Sequence, residues 1–383
     1  MLIEIRNVGF VNKGAELMLH AIIGAVSGEL PNAAFVMAPE KTLRPYSKRA
    51  ELKLLQKAWY WRFGFQWGCL ARFIPRRLLE MYGIVREEDL DMVLDASGFC
   101  YSDQFAPQRS IEMACSCKRW KKNGTKVILL PQAFGPFENR KTRDAIRVVA
   151  DCADLIFARD EISLKYLTDA VGERKNIQMA PDFTNLLSGI EPQGFESEKN
   201  SFCIIPNCRM MDKTSPEIAG AYLPFLITCA KHLLERDQKP FLLVHEGEAD
   251  YRLAQNVSEA LNGRLPIIRE EDPRRIKGIL GSCKGTLGSR YHGLISALSQ
   301  GVPALATGWS HKYGLLFREY GFEQGLVDLT LPEENIKQKL DLLVETQSRQ
   351  SIINSILAKS LELKNRSREM WRMVFNRLLT KNS

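Results

Sequence analysis

No window of the 383-residue sequence approaches the roughly 18 uninterrupted apolar residues that mark a membrane-spanning helix. The most apolar stretch, Ala221 to Leu234, is broken by Lys231 and His232, so no transmembrane helix is expected. The opening residues, MLIEIRNVGF, carry Glu4 before any cationic region and lack a long apolar run, which does not suit a secretory signal. A cytoplasmic protein is expected. The nine cysteines include no CxxC pair, which argues against zinc ribbons and thioredoxin-like redox chemistry. They read as buried thiols of a reducing compartment. No cluster of metal ligands stands out, and no metal is expected. Disorder is equally unsupported, because 45% hydrophobic and 26% charged residues are ordinary globular values.

The length suits two domains of roughly 150 to 200 residues. Short apolar runs alternate with helical patterns, as in βα units around parallel sheets. Candidate strands in the first half are 2–5, 34–37, 91–97, 126–132, 155–159 and 177–181. The polar, Gly- and Pro-containing run 188–200 reads as a linker. Strands then resume at 201–206, 240–246, 265–270, 285–289, 303–308 and 325–329, and the chain turns helical from Pro332, with an apolar stripe through Ile352, Ile356, Met370, Trp371, Val374 and Leu378. The expected fold is α/β: two Rossmann-like domains, 1–187 and 201–345, facing a central cleft, with a C-terminal helical tail over 346–383. Ligands of such sheets bind beyond the carboxyl ends of the strands.

The net charge of +8 is unevenly spread. An insertion over 44–86 holds ten basic residues against Glu51 and Glu80, which accounts for the whole excess. Its stretch 48–83 also holds Trp59, Tyr60, Trp61, Phe63, Phe65, Trp67 and Phe73. Aromatic rings with long cationic side chains suit an anionic membrane surface. They also suit single-stranded nucleic acid, which nothing else in the chain supports, and a helical insertion packed into the first domain.

Chemistry is sought just after each strand. The turn GFVNKGAE places Asn12 and Gly14 before a helix, either as an anion or sugar site or as a plain tight turn. Asp103 follows the strand 91–97 as a general-base candidate or a cap, and Gln132 ends the next strand. RDEIS, from Arg159, reads as a couple fixing a turn, and HEGEAD, from His245, as a helix cap. Arg209 follows the first strand of the second domain. Ser289, Arg290 and His292 stand at a strand end and helix start, and Lys312 follows the next strand. A guanidinium fork beside a helix N-terminus suits a small dianion or trianion; a capping pair with a packed histidine is the plainer alternative.

Taken together, GFVNKGAE, LPQAFGPF, ARDEISLKYL, APDF and GSRYHGLISALSQGVPALATGWSHKYGLL resemble the polysaccharide pyruvyl transferase family over most of the chain. The resemblance implies a two-domain GT-B architecture and transfer of pyruvate from phosphoenolpyruvate, a co-substrate rather than a cofactor, onto a sugar as a ketal. The acceptor is then a cell-surface polysaccharide or its lipid-linked oligosaccharide precursor, at the inner face of the membrane. It also carries donor binding to Arg290 and His292, with Arg209 matching a further family arginine. Ser289 and Lys312 are assigned to the donor, His292 and Asp103 to catalysis, and Asn12, Gly14, Glu16 and Gln132 to the acceptor. One departure stands in the opening turn, where the family usually has Asp directly after its glycine: here Ala15 follows Gly14, and Glu16 is the nearest carboxylate. A sugar-nucleotide glycosyltransferase of the same architecture, or a non-catalytic saccharide-binding scaffold, are the alternatives.

Overall fold

A computed structural model describes residues 1–40, 42–63, 65–308 and 312–379, excluding the side chains of Trp61 and Leu379. Trp309, Ser310 and His311 of the GWSHKYGLL motif, Gly64 of the basic insertion and 380–383 of the tail lie outside the described residues. The chain forms two units. The first comprises Met1–Val11, Met18–Phe183 and the chain from Arg366; the second comprises Asn12–Leu17 and Thr184–Asn365.

In the first unit, eight strands pair in parallel in the order Ile177–Met179, Leu155–Ala158, Lys126–Phe134, Met92–Asp95, Leu2–Arg6, Ala34–Met37, Leu55–Lys57 and Ile84–Val85, with Phe99–Tyr101 added beside Lys126–Phe134. Val127 to Leu130 are fully buried, as expected of a parallel strand covered on both faces. Helix Arg140–Cys152 begins where the Asn139 side chain accepts from the Lys141 amide at 2.9 Å, and it buries Ala145, Ile146, Val149 and Ala150. Asp160 caps Glu161–Val171 through the Ser163 amide at 2.7 Å, the turn-fixing role read for RDEIS. Trp371 of the C-terminal helix packs edge-on to Phe183 with ring centroids 5.8 Å apart.

In the second unit the order is Ile267–Arg269, Pro240–Val244, Phe202–Ile205, Gly285–Gly288 and Ala304–Ala306, all parallel, so the five carboxyl ends share one edge. Helix Pro216–Glu235 covers one face with Tyr222, Phe225, Leu226, Cys229 and Leu233. Ile352, Ile356 and Leu363 of helix Thr346–Leu379 complete that core.

Two expectations change. Residues 325–329 form no strand: Leu326 makes an isolated bridge to Ala306, and Asp328 then captures the Thr330 amide at 2.9 Å, which turns the chain. The helical-insertion alternative does not describe 44–86 either. Leu55–Lys57 and Ile84–Val85 extend the sheet, and between them lie the hairpin Trp61–Arg62 and Phe65–Gln66, a 3-10 turn Trp67–Phe73 and a short helix Arg76–Met81.

Candidate functional site

The carboxyl edge of the second unit gathers most of the expected donor residues. Strand Gly285–Gly288 ends in Ser289, which is fully buried. Its carbonyl accepts from Asn207 Nδ2 at 2.5 Å and Tyr313 Oη at 2.8 Å, while its hydroxyl meets Tyr222 Oη at 3.2 Å. Three elements therefore fix the backbone from which Arg290 and His292 project. Arg290 occupies the N-cap position of helix Tyr291–Leu298, with its side chain 11% exposed.

The Arg290 fork is engaged by this chain's own carboxylates. Nε and Nη2 donate to Asp250 Oδ2 at 3.0 and 2.5 Å, and Nη1 donates to Glu246 Oε2. Asp250 is wholly buried and also accepts from the Cys208 amide at 2.9 Å. Glu246 is the more exposed partner at 22%. Sequence reading took HEGEAD for a helix cap. Glu246 does occupy the N-cap position of helix Gly247–Ala260, but makes no capping bond, because its carboxylate is spent on Arg290 and on Asn12 Nδ2, 2.9 Å away. The signal was available in two carboxylates four apart after a strand, one helical turn from each other.

His245, read from the sequence only as the start of a cap segment, directly follows strand Pro240–Val244 and is 7% exposed. Burial, then the charges of Arg290, His292 and Lys13, push its pKa down to about 3, and among the described residues Nδ1 has no hydrogen-bond partner. It stands close to helix Tyr291–Leu298: a β-carbon added at Gly293 would meet its Cδ2 at 3.4 Å. This buried imidazole, held neutral, stands beside Arg290 and Lys13, whose own charges are balanced by Asp250, Glu246 and Glu16.

The opening turn belongs here as well. Asn12 caps the helix Lys13–Glu29 by accepting from the Ala15 amide at 3.0 Å, Lys13 Nζ reaches the Glu271 carbonyl at 2.5 Å and Glu16 Oε2 at 2.8 Å, and Gly14 lies against the His292 ring. Arg209 begins the short helix after strand Phe202–Ile205, pairs with Asp212 at 2.5 Å and is half exposed. It adjoins Cys208, on which Arg290 also bears, and feels the Glu246 charge. Lys312 Nζ stands 5.4 Å from the centroids of both Tyr291 and Tyr313.

Asp103 and Gln132 lie in the first unit. Asp103 Oδ2 accepts from the backbone amides of Glu138 and Asn139, the latter at 3.0 Å, so it anchors the loop before helix Arg140–Cys152. Gln132 is fully buried: Oε1 accepts from Ser97 and Nε2 donates to Asp95 at 3.1 Å, so it is a packing group rather than an acceptor contact.

The same unit holds a charged cluster that the sequence did not announce. Lys57, with no exposed surface, pairs with Glu4 at 2.7 Å and Glu87 at 3.0 Å; Arg6 pairs with Glu112 at 2.8 Å. Both cations lie over the Trp59 and Trp120 rings at 4.9 to 5.6 Å. Beside them a cavity of about 210 Å³ is lined by Glu4, Arg6, Asn7, Arg44, Trp59 and Glu112 among others. Arg44 donates there to the carbonyls of Val8 at 2.8 Å and Ala38 at 3.3 Å. Burial, and next the Arg6 charge, hold its guanidinium below the usual arginine range. Among the described residues, no group of three or more His, Cys, Asp or Glu is placed to hold a metal ion.

A family model for polysaccharide pyruvyl transferase matches residues 12–311. Among solved structures, UDP-GlcNAc 2-epimerase from Neisseria meningitidis bound to UDP-GlcNAc is similar with a TM-score of 0.63 at 8% identity, over 98% of this chain and 99% of that one. HepE of Anabaena in complex with UDP and glucose is similar with a TM-score of 0.57 at 11% identity, over 98% and 99%. The S. aureus MnaA–UDP structure gives 0.54 at 12%, over 92% and 90%. No curated protein matches in sequence. At these identities the likeness establishes the fold, which is of the GT-B type.

Proposed function

The chain belongs to the polysaccharide pyruvyl transferase family, and from that premise we propose that it moves pyruvate from phosphoenolpyruvate onto two hydroxyls of a saccharide acceptor, releasing phosphate. The family makes it a transferase of polysaccharide biosynthesis. The observation that supports the donor assignment is the carboxyl edge of the second unit, where Arg290 and His292 stand at one helix N-terminus and the opening turn is seated against His292.

In this reading the donor's phosphate and carboxylate bind Arg290 and Arg209. Asp250, fully buried, keeps Nε and Nη2 of Arg290, whereas the more exposed Glu246 yields Nη1 to the incoming anion. A proton from His292 goes to the methylene carbon, leaving an oxocarbenium-like centre at C2. One sugar hydroxyl attacks C2 and gives up its proton to a base. The bond from C2 to the phosphate oxygen then breaks, phosphate departs against the local positive charge, and the second hydroxyl closes the ketal with loss of its own proton. Glu246, freed from Arg290 by the donor, is the carboxylate assigned as base. Lys312 supports the departing phosphate.

For the acceptor, the 210 Å³ cavity is smaller than the roughly 300 to 1,000 Å³ of drug-sized sites, and so suits one monosaccharide. Its carboxylates Glu4 and Glu112 accept from hydroxyls, and Trp59 lines it beside the Arg6 and Lys57 cations. The deciding experiment incubates the protein with phosphoenolpyruvate or UDP-sugars and an acceptor saccharide. Acceptor-dependent phosphate release supports the reading. Release of UDP instead identifies a glycosyltransferase, and release of neither a binding protein.

A further inference from the structure

The insertion in the first unit leaves its aromatic residues outside the core. Phe63 is 85% exposed, Phe73 71%, Met81 77% and Tyr82 71%, with Tyr60, Phe65, Trp67, Leu70, Ile74 and Leu78 also exposed. Over the described side chains of 60–82, only Gln66, Ala71 and Leu79 are buried. The packed-insertion reading therefore fails for this stretch. Such a run of large apolar side chains exceeds the scattered singletons normal on a surface and marks an interaction site.

The same stretch carries Arg62, Arg72, Arg76 and Arg77, all exposed, against a single acid, Glu80; among the described residues Arg76 alone of the four is paired outside the stretch, with Asp89 at 2.5 Å, and the other three carry the charge argument. Arg62 lies over the Phe63 ring at 4.8 Å and Arg72 over Phe73 at 4.7 Å, so rings and charges share one face locally. Of the other basic residues in 48–83, Lys57 and Arg49 are buried and take no part. Among the described residues no helix is long and apolar enough to cross a bilayer. We infer that residues 60–82 are a monotopic docking surface for an anionic lipid bilayer. Phe63, Phe73, Met81 and Tyr82 enter the headgroup region, and the arginines pair with lipid phosphates. Charge decides the occupant: a second copy of this chain would set arginine against arginine, whereas an anionic leaflet complements the patch. This inference does not depend on the pyruvyl chemistry.

The experiment is co-sedimentation of the full chain with vesicles of phosphatidylcholine alone or with phosphatidylglycerol, at low and moderate salt. Binding is expected to the anionic vesicles and to weaken as salt rises. Removing Arg62, Arg72 or Arg77 should each weaken it about fivefold, the equivalent of roughly 1 kcal/mol per cation near the surface. The variant Phe63→Ser/Phe73→Ser should keep its thermal melting and lose vesicle binding at least tenfold. No binding to anionic vesicles at low salt overturns the inference. So does a dimer in light scattering, or binding to oligo-dT, that the same variant abolishes in a protein indifferent to lipid.

Discussion

Gly14 and His292 meet without room for another atom: a β-carbon on Gly14 would lie 2.7 Å from Cγ and 3.0 Å from Cε1 of the imidazole. Gly14 is the second residue of helix Lys13–Glu29, where Ala is otherwise the better helix former. Gly14→Ala should therefore gain no stability, and should lower acceptor-dependent turnover roughly ten- to a hundredfold by displacing the ring. A gain in melting temperature with normal turnover would refute the contact.

Arg290→Ala leaves Asp250 buried without its cation, and is expected to destabilise the protein by about 3 to 5 kcal/mol. Arg290→Ala/Asp250→Asn should recover much of that loss while donor binding stays impaired. Urea unfolding and donor KM, measured across the double-mutant cycle, separate the two roles. Recovery of both would make Arg290 structural only.

Glu246→Gln tests the displacement idea. It removes the competing charge from Nη1, so donor KM should hold or fall while kcat drops by about 100-fold or more, the scale of a lost base. A raised KM at unchanged kcat would remove Glu246 from proton transfer.

His245 supplies a pH signature. Its folded pKa, about 3, lies below the usual histidine value, so the unfolded chain takes up the proton first as pH falls. Stability from this group is complete above about pH 6.5 and is lost toward pH 3, by about 1.4 kcal/mol per unit. The difference in urea midpoint between wild type and His245→Gln should shrink across that window. A constant difference would place the proton elsewhere.

Lys57→Ala should cost about 3 kcal/mol, because Glu4, fully buried, would keep only Arg6 at 3.8 Å, while Glu87 retains Arg119 at 2.6 Å. Lys57→Ala/Glu4→Gln should recover part of the loss in denaturant unfolding.

Strands such as Lys126–Phe134 are legible in the sequence because burial on both faces demands an unbroken apolar run. Leu55–Lys57 is not, because a strand holding Lys57 is stable only once Glu4 and Glu87 arrive from distant segments. The site divides in the same way. Ser289, Arg290 and His292 follow from their place between a strand and a helix. The partners of Arg290 do not, since Asp250 and Glu246 sit forty or more residues away and only the sheet order brings them to it. Asp103 and Gln132 satisfied the strand-end rule too, yet they serve backbone amides and a buried carboxylate. Position after a strand does not distinguish a group facing solvent from one facing the core.

Neither unit is a continuous piece of chain. The first takes Trp371 from the last helix to cover Phe183, and the second takes the Asn12–Leu17 turn from near the beginning. During synthesis the N-terminal sheet must therefore wait for residues made some two hundred positions later before its core is whole. An N-terminal domain usually matures while the next is still being translated; here the ring that covers Phe183 becomes available only once Trp371 has been made.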